Sequence, residues 1–166
     1  MTSLLLWWLT ACGPKKDYVP YTIRRPEGGW RAVQEGGADY AWYNRSLSAV
    51  IYVDSSCNKK FEDRELRDSI QSLTQGVSNG GPVSAADIEL DSRIGRLEIH
   101  RGALDGINVQ LGVASVSKNE CLYDFVYIAP PSEFDNGLNA FLDFLKTFET
   151  VDSDGFRRVQ DPDELQ

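Results

Sequence analysis

The sequence predicts an α+β domain, a mostly antiparallel β-sheet with helices packed on it. Three observations carry this. Short runs rich in aromatic and β-branched residues are separated by Gly, Asn and Asp turn signals, as strands are. Two other segments repeat apolar residues at helical spacing. The chain has 166 residues, 42% of them apolar, and about 150 residues suffice to bury roughly two thirds of the surface of the extended chain in one core. Wholesale disorder is thereby excluded, and the core needs no array of disulfides or structural metal.

From the N-terminus, residues 1–11 are uncharged and hold the run Leu4, Leu5, Leu6, Trp7, Trp8, Leu9. This run is too short to cross ~30 Å of hydrocarbon as a helix. Leu9-Thr10-Ala11-Cys12, followed by Gly13, resembles the bacterial lipobox, in which small residues admit a peptidase that cuts before a diacylated cysteine. The stretch departs from a full signal in having no Lys or Arg before the apolar run and in falling short of the usual ~15–30 residues. The resemblance implies a signal peptide over residues 1–11 and a mature N-terminus at a lipidated, palmitate-bearing Cys12. It also implies export to the cell envelope and, with Gly13 rather than Asp in second place, the outer membrane facing the periplasm. An apolar tail or first strand is the competing reading. Each buried CH₂ adds about 0.8 kcal/mol, so two or three acyl chains on Cys12 would make the lipid bilayer a nearly permanent partner. Lys15 and Lys16 stand where they would touch anionic headgroups.

Residues 12–28 contain Pro14, Pro20 and Pro26, four basic residues and little periodicity, so they read as the lipidated terminus and a flexible linker. The folded domain is expected over residues 29–150, ahead of an acidic tail over 151–166. Trp30 to Val33, 40–43 and 49–53 read as strands, with Gly36-Gly37 as the first turn. Leu66, Ile70, Leu73 and Val77 place one apolar stripe on a helix, which Gly76 caps. Ile88 and Leu90 alternate with charge as a strand does.

Leu97 and Ile99, then Ile107, Val109, Leu111 and Val113, alternate around Leu104-Asp105-Gly106 as a hairpin. A two-residue Asp-Gly turn would oppose Leu111 to His100 and Val113 to Glu98, apolar against polar. A three-residue loop with Gly106 left-handed opposes Leu111 to Ile99 and Val113 to Leu97, and is the expected register. A second loop at Lys118-Asn119-Glu120 then sets Phe125 against Val113 and Tyr127 against Leu111. Residues 122–129 are apolar on both faces except at Asp124, which marks a central strand covered on each side. After Pro130-Pro131, Ser132 suits an N-cap, and Phe134, Leu138, Phe141, Leu145 and Phe148 repeat at helical spacing.

The stretch Cys121-Leu-Tyr-Asp-Phe-Val-Tyr-Ile-Ala-Pro, followed by this phenylalanine-spaced helix, resembles uncharacterised proteobacterial lipoproteins and the PsbP-like α/β/α sandwich over residues 30–148. What the resemblance implies is a non-enzymatic binding or scaffolding module on a membrane-anchored assembly, with an envelope protein as a possible partner. It names no ligand and no cofactor.

The remaining chemistry is sparse. With Cys12 acylated, Cys57 and Cys121 form an even pair in an oxidising compartment, and a disulfide is expected; two buried free thiols are the alternative. Seventeen basic against 25 acidic residues give a charge of −8, which argues against nucleic acid as a partner. One His and three Cys argue against a His/Cys metal cluster. Gly76-Val77-Ser78-Asn79-Gly80 matches G-x-S-x-G, and with Asp87 or Asp91 and His100 it would make a small envelope serine hydrolase. A helix precedes this match where a nucleophile elbow needs a strand, so His100 reads rather as a half-exposed strand residue. Asp152, Asp154 and Asp161 resemble part of a calcium loop without its bidentate Glu. Asn44-Arg45-Ser46 is a glycosylation sequon only in a eukaryotic secretory setting. Asp124, between Tyr123 and Phe125, needs a partner such as Arg96 or Arg101. Alternatively it marks the floor of a ligand groove with Tyr123 and Tyr127. Trp30, Trp42, Tyr43, Tyr123 and Tyr127 would line such a sugar- or peptide-binding face if they were not core.

Overall fold

The computed structural model of the chain describes residues 19–34, 36–58, 61, 65–77 and 81–151. Along these run β1 (Tyr21–Thr22), β2 (Trp30–Val33), β3 (Tyr40–Asn44), β4 (Ala49–Cys57), α1 (Leu66–Thr74), β5 (Ser84–Leu90), β6 (Arg93–Leu104), β7 (Ile107–Lys118), β8 (Cys121–Ala129), α2 (Phe134–Leu145) and β9 (Glu149–Thr150). Seven strands form one antiparallel sheet in the order β2-β3-β4-β8-β7-β6-β5, and β1 pairs with β9 in a separate two-stranded ribbon. The α+β class expected from the sequence is the class observed.

β8 sits mid-sheet, and its alternation divides the core. Tyr123, Phe125 and Tyr127 point toward α2, where they join Trp42, Phe141, Phe144 and Phe148 in the larger apolar cluster. Leu122, Asp124 and Val126 point the other way. There Val126 packs with Val109, Leu111 and Val113 of β7 and with the fully buried Ile70 of α1. Each helix therefore seals one face, and the stripes read from the sequence are the stripes that pack. α1 ends at Thr74, and Gly76 follows at φ +85°, a left-handed conformation that favours glycine just past a helix. At α2 the N-cap is Glu133 rather than Ser132, and it makes no side-chain capping bond.

Both hairpin registers differ from expectation by one residue. Leu104 pairs with Ile107 across a two-residue Asp105-Gly106 turn, so His100 does oppose Leu111 and Glu98 does oppose Val113. Asp105 (φ +51°) and Gly106 (φ +81°) both have the positive φ of a type I′ turn. Likewise Lys118 pairs with Cys121 around Asn119-Glu120, which sets Val113 against Val126, Leu111 against Ile128, Ala114 against Phe125 and Gly112 against Tyr127. Two physical facts select this arrangement. Glu98 and His100 are buried and hydrogen-bonded to each other, so polar side chains are accommodated on that face. On the α2 face, small Gly112 and Ala114 lie between the bulky pairs Leu97/Ile99 and Phe125/Tyr127, leaving room for Phe141. A Cβ on Gly112 would stand 3.2 Å from the Phe141 ring.

The fold also begins earlier than residue 29. Val19, Tyr21 and Ile23 are buried in the main core at 4%, 2% and 2% exposure, and β1 pairs with β9. Pro20 interrupts an alternating Val-Tyr-Ile run, and its neighbouring prolines and basic residues gave the segment the look of a linker.

Candidate functional site

One open cleft on the described surface, of about 910 Å³, lies between residues 24–31 and the C-terminal half of α2. Its cationic lining is Arg24, Arg25, Arg31 and Lys146; its carboxylates are Glu27 and Asp143. Pro26, Trp30, Ala140 and Phe144 give it an apolar floor.

Local hydrogen bonds hold this segment in place. The Arg24 backbone N–H donates to Thr147 Oγ1 at 3.0 Å, and the Thr147 hydroxyl donates back to the Phe144 carbonyl at 2.8 Å, which pins the segment to the end of α2. At the other end Asn44 Nδ2 donates to the Gly28 carbonyl at 2.9 Å. The Asn44 carboxamide oxygen meanwhile accepts from the Ser46 hydroxyl at 2.7 Å and the Ser46 backbone at 3.1 Å, so Asn44 is a buried structural bracket. Lys146 is committed to Asp143 at 2.7 Å, both well exposed. Arg24, Arg25 and Arg31 are exposed, and none makes an ion pair among the described residues. Three uncommitted guanidinium groups over an apolar floor are suited to holding an anion, since the planar fork of arginine matches carboxylate or phosphate oxygens.

The sequence-derived candidates lie elsewhere. Asp124, on the α1 face, accepts hydrogen bonds from the Ser69 and Ser115 hydroxyls. Arg96 pairs instead with Glu98, and Arg101 donates to Gln110, so neither is the partner expected for Asp124. Tyr123 and Tyr127 lie on the opposite face and are fully buried, so the three do not meet in one groove; adjacent strand residues point to opposite faces. Tyr127 donates to the Phe134 carbonyl at 2.9 Å, and burial pushes its hydroxyl up to about 12. Burial raises Tyr123 and Tyr21 as well, Tyr21 with help from the Asp39 carboxylate that accepts its hydroxyl at 3.1 Å. Trp30 and Trp42 are core residues, while Tyr43 keeps 37% of its surface.

His100 is 3% exposed, not half-exposed, and its Nε2 lies 2.9 Å from Glu98 Oε2. With Arg96 on the other oxygen of Glu98, three alternate residues of β6 make one hydrogen-bonded chain on the α1 face. Asp87 lies opposite Arg96 on β5, and Asp91 binds Lys118 and Thr150. Neither of these acids is the partner of His100. Ser78, Cys12 (the expected lipid acceptor) with Lys15 and Lys16, and the acidic group Asp152, Asp154 and Asp161 all lie outside the described residues.

Cys57 and Cys121 are joined in a disulfide, directly across the β4–β8 ladder. Among the described residues no group of three His, Cys, Asp or Glu side chains is placed to hold a metal ion, and no helix is long and apolar enough to cross a membrane. Arg24 and Arg25 are visible in the sequence only as positive charge in the Pro-rich stretch that reads as a linker, and Arg31 only as a polar position of the first expected strand.

No family model matches the chain, and no curated protein sequence does. Solved structures do match in fold. A crystal structure from Bacteroides thetaiotaomicron superposes with a TM-score of 0.60 at 10% identity, covering 82% of this chain, which spans only 47% of that one. The solution structure of the cyanobacterial PsbP protein CyanoP from Synechocystis gives 0.56 at 14% identity over 80% of this chain and 87% of its own. LpqN of Mycobacterium tuberculosis, described as involved in cell envelope biogenesis, gives 0.53 at 11% identity over 79% and 84%. At these identities the likeness is one of fold: the chain has the PsbP-like arrangement of a sheet between helices.

Proposed function

We propose that this chain is a lipid-anchored, non-enzymatic binding module of the bacterial cell envelope, tethered through acylated Cys12 and facing the periplasm, with the outer membrane as its address. The observation that carries the reading is the cysteine partition. Cys57 and Cys121 are consumed in one disulfide, which leaves Cys12, directly after Leu9-Thr10-Ala11, as the remaining thiol of three. A disulfide suits an exported protein, and a cysteine preceded by small residues suits lipid transfer. The envelope role of LpqN, a protein of the same fold, is compatible with this placement. Binding is favoured over catalysis because two acids of the sheet are engaged structurally, Glu98 with His100 and Arg96 and Asp124 with Ser69 and Ser115. The open cleft, by contrast, offers exposed cations and no buried acid–base pair.

Metabolic labelling with a fatty-acid analogue tests the anchor. Wild-type chain should incorporate the label and Cys12→Ala should not; equal incorporation in both overturns the reading.

A further inference from the structure

We infer that the arginine cleft is a docking surface for an anionic bilayer, seating phospholipid phosphate groups on Arg24, Arg25 and Arg31. The inference deepens the anchored reading and rests on it for the choice of occupant. The chain carries −8 overall, yet this cleft gathers four cations against two carboxylates, and one of those carboxylates is already taken by Lys146. Charges farther than about 10 Å away are screened at ordinary ionic strength, so the acidic remainder of the surface does not cancel the local attraction. The three arginines make no ion pair among the described residues, so a phosphate displaces no partner among those residues.

Position favours lipid over a soluble anion. Cys12 and Val19 are seven residues apart, so an acylated Cys12 would hold Val19 within ~25 Å of the headgroups even with the tether fully extended. Arg24 follows five residues later and is fixed to α2 by its bond to Thr147. A domain held this close to the membrane meets headgroup phosphate at high effective concentration. The amphiphilic lining fits as well, with cations for phosphate above an apolar floor at Pro26 and Ala140. On this view lipidation sets where the protein is, and the cleft sets which side of it faces the bilayer.

The test uses the mature chain of that reading, residues 12–166 carrying Cys12→Ser, which lacks acyl chains, in cosedimentation with phosphatidylglycerol vesicles and with neutral phosphatidylcholine vesicles. Binding should be stronger to the anionic vesicles and should fall as salt rises. The triple variant Arg24→Gln, Arg25→Gln, Arg31→Gln should bind the anionic vesicles about a hundredfold more weakly. The corresponding triple lysine variant keeps the charge and should retain most of the binding, which separates lost attraction from a damaged fold. Equal binding to both vesicle types, or a glutamine variant that binds like its parent, overturns the proposal. So does anionic binding that appears only once residues 152–166 are removed, because that result would give the cleft to the acidic tail of the chain itself. Because the assay needs no acylation, failure of the cleft and failure of the anchor are read separately.

Discussion

Glu98 and His100 stand two positions apart on β6, with Glu98 Oε2 2.9 Å from His100 Nε2 and the residues 4% and 3% exposed. Arg96 takes the other carboxylate oxygen from a less buried position. Removing one member of such a chain strands the others out of water, so the cost exceeds the net value of the contact. Glu98→Ala should destabilise the fold by about 3 kcal/mol. Urea unfolding of both single alanine variants and the double variant should then give a coupling energy of at least about 1 kcal/mol. A coupling near zero would mean that the two residues are held by their surroundings and not by each other.

Gly137 is the fourth residue of α2, and within a helix alanine ordinarily gains about 0.5–1 kcal/mol over glycine. Here a Cβ would stand 2.3 Å from the Tyr127 hydroxyl and 2.9 Å from the ring carbon that bears it. Gly137→Ala should therefore lose about 2 kcal/mol. Tyr127→Phe removes the hydroxyl, together with its bond to the Phe134 carbonyl. Combining the two changes should cost less than the sum of the single losses, as measured by thermal or urea unfolding. Strict additivity would show that helix and strand do not meet at this point.

The Cys57–Cys121 bridge joins residues that are already partners in the β4–β8 ladder and closes a separation of 64 residues. In the chain-entropy picture, closing such a loop stabilises by up to about 4 kcal/mol, mainly by restricting the unfolded chain. Reduction, or paired Cys57→Ser and Cys121→Ser, should lower the thermal midpoint by about 10 °C while leaving the circular dichroism of the folded state unchanged. An unchanged midpoint would place the stabilisation elsewhere.

What the sequence made legible was whatever depends on periodicity. The Leu66/Ile70 and Phe134/Phe141 stripes lie on helices, and the doubly apolar run around Phe125 is the mid-sheet strand. What it hid was whatever depends on burying polarity. Glu98 and His100 look like solvent-facing residues until their mutual pairing is known, and that assumption alone shifted the Leu111 and Val113 register by one. Val19, Tyr21 and Ile23 were hidden because β1 is two residues long and finds its partner, β9, more than 120 positions away. The cleft depends on the same long-range contact, since Arg24 meets Thr147 only after the chain has returned.

Asp91, in the turn between β5 and β6, ties three distant segments together. Its Oδ2 accepts from Lys118 Nζ at 2.7 Å and from the Thr150 backbone and hydroxyl at 2.8 and 2.6 Å. Partial burial alone would raise its carboxyl, but the hydrogen bonds and charge supplied by Lys118 and Thr150 outweigh it and hold the group below its usual 3.8. A carboxylate depressed in the folded state contributes stability that is present above the unfolded value and is lost as pH falls through the folded one. Asp91→Asn should therefore be less stable than wild type near neutral pH, with the gap closing progressively below about pH 4. Urea midpoints of both proteins across that range would show it. A gap that stays constant from neutral to strongly acidic pH would mean that Asp91 acts through its shape and not through its charge.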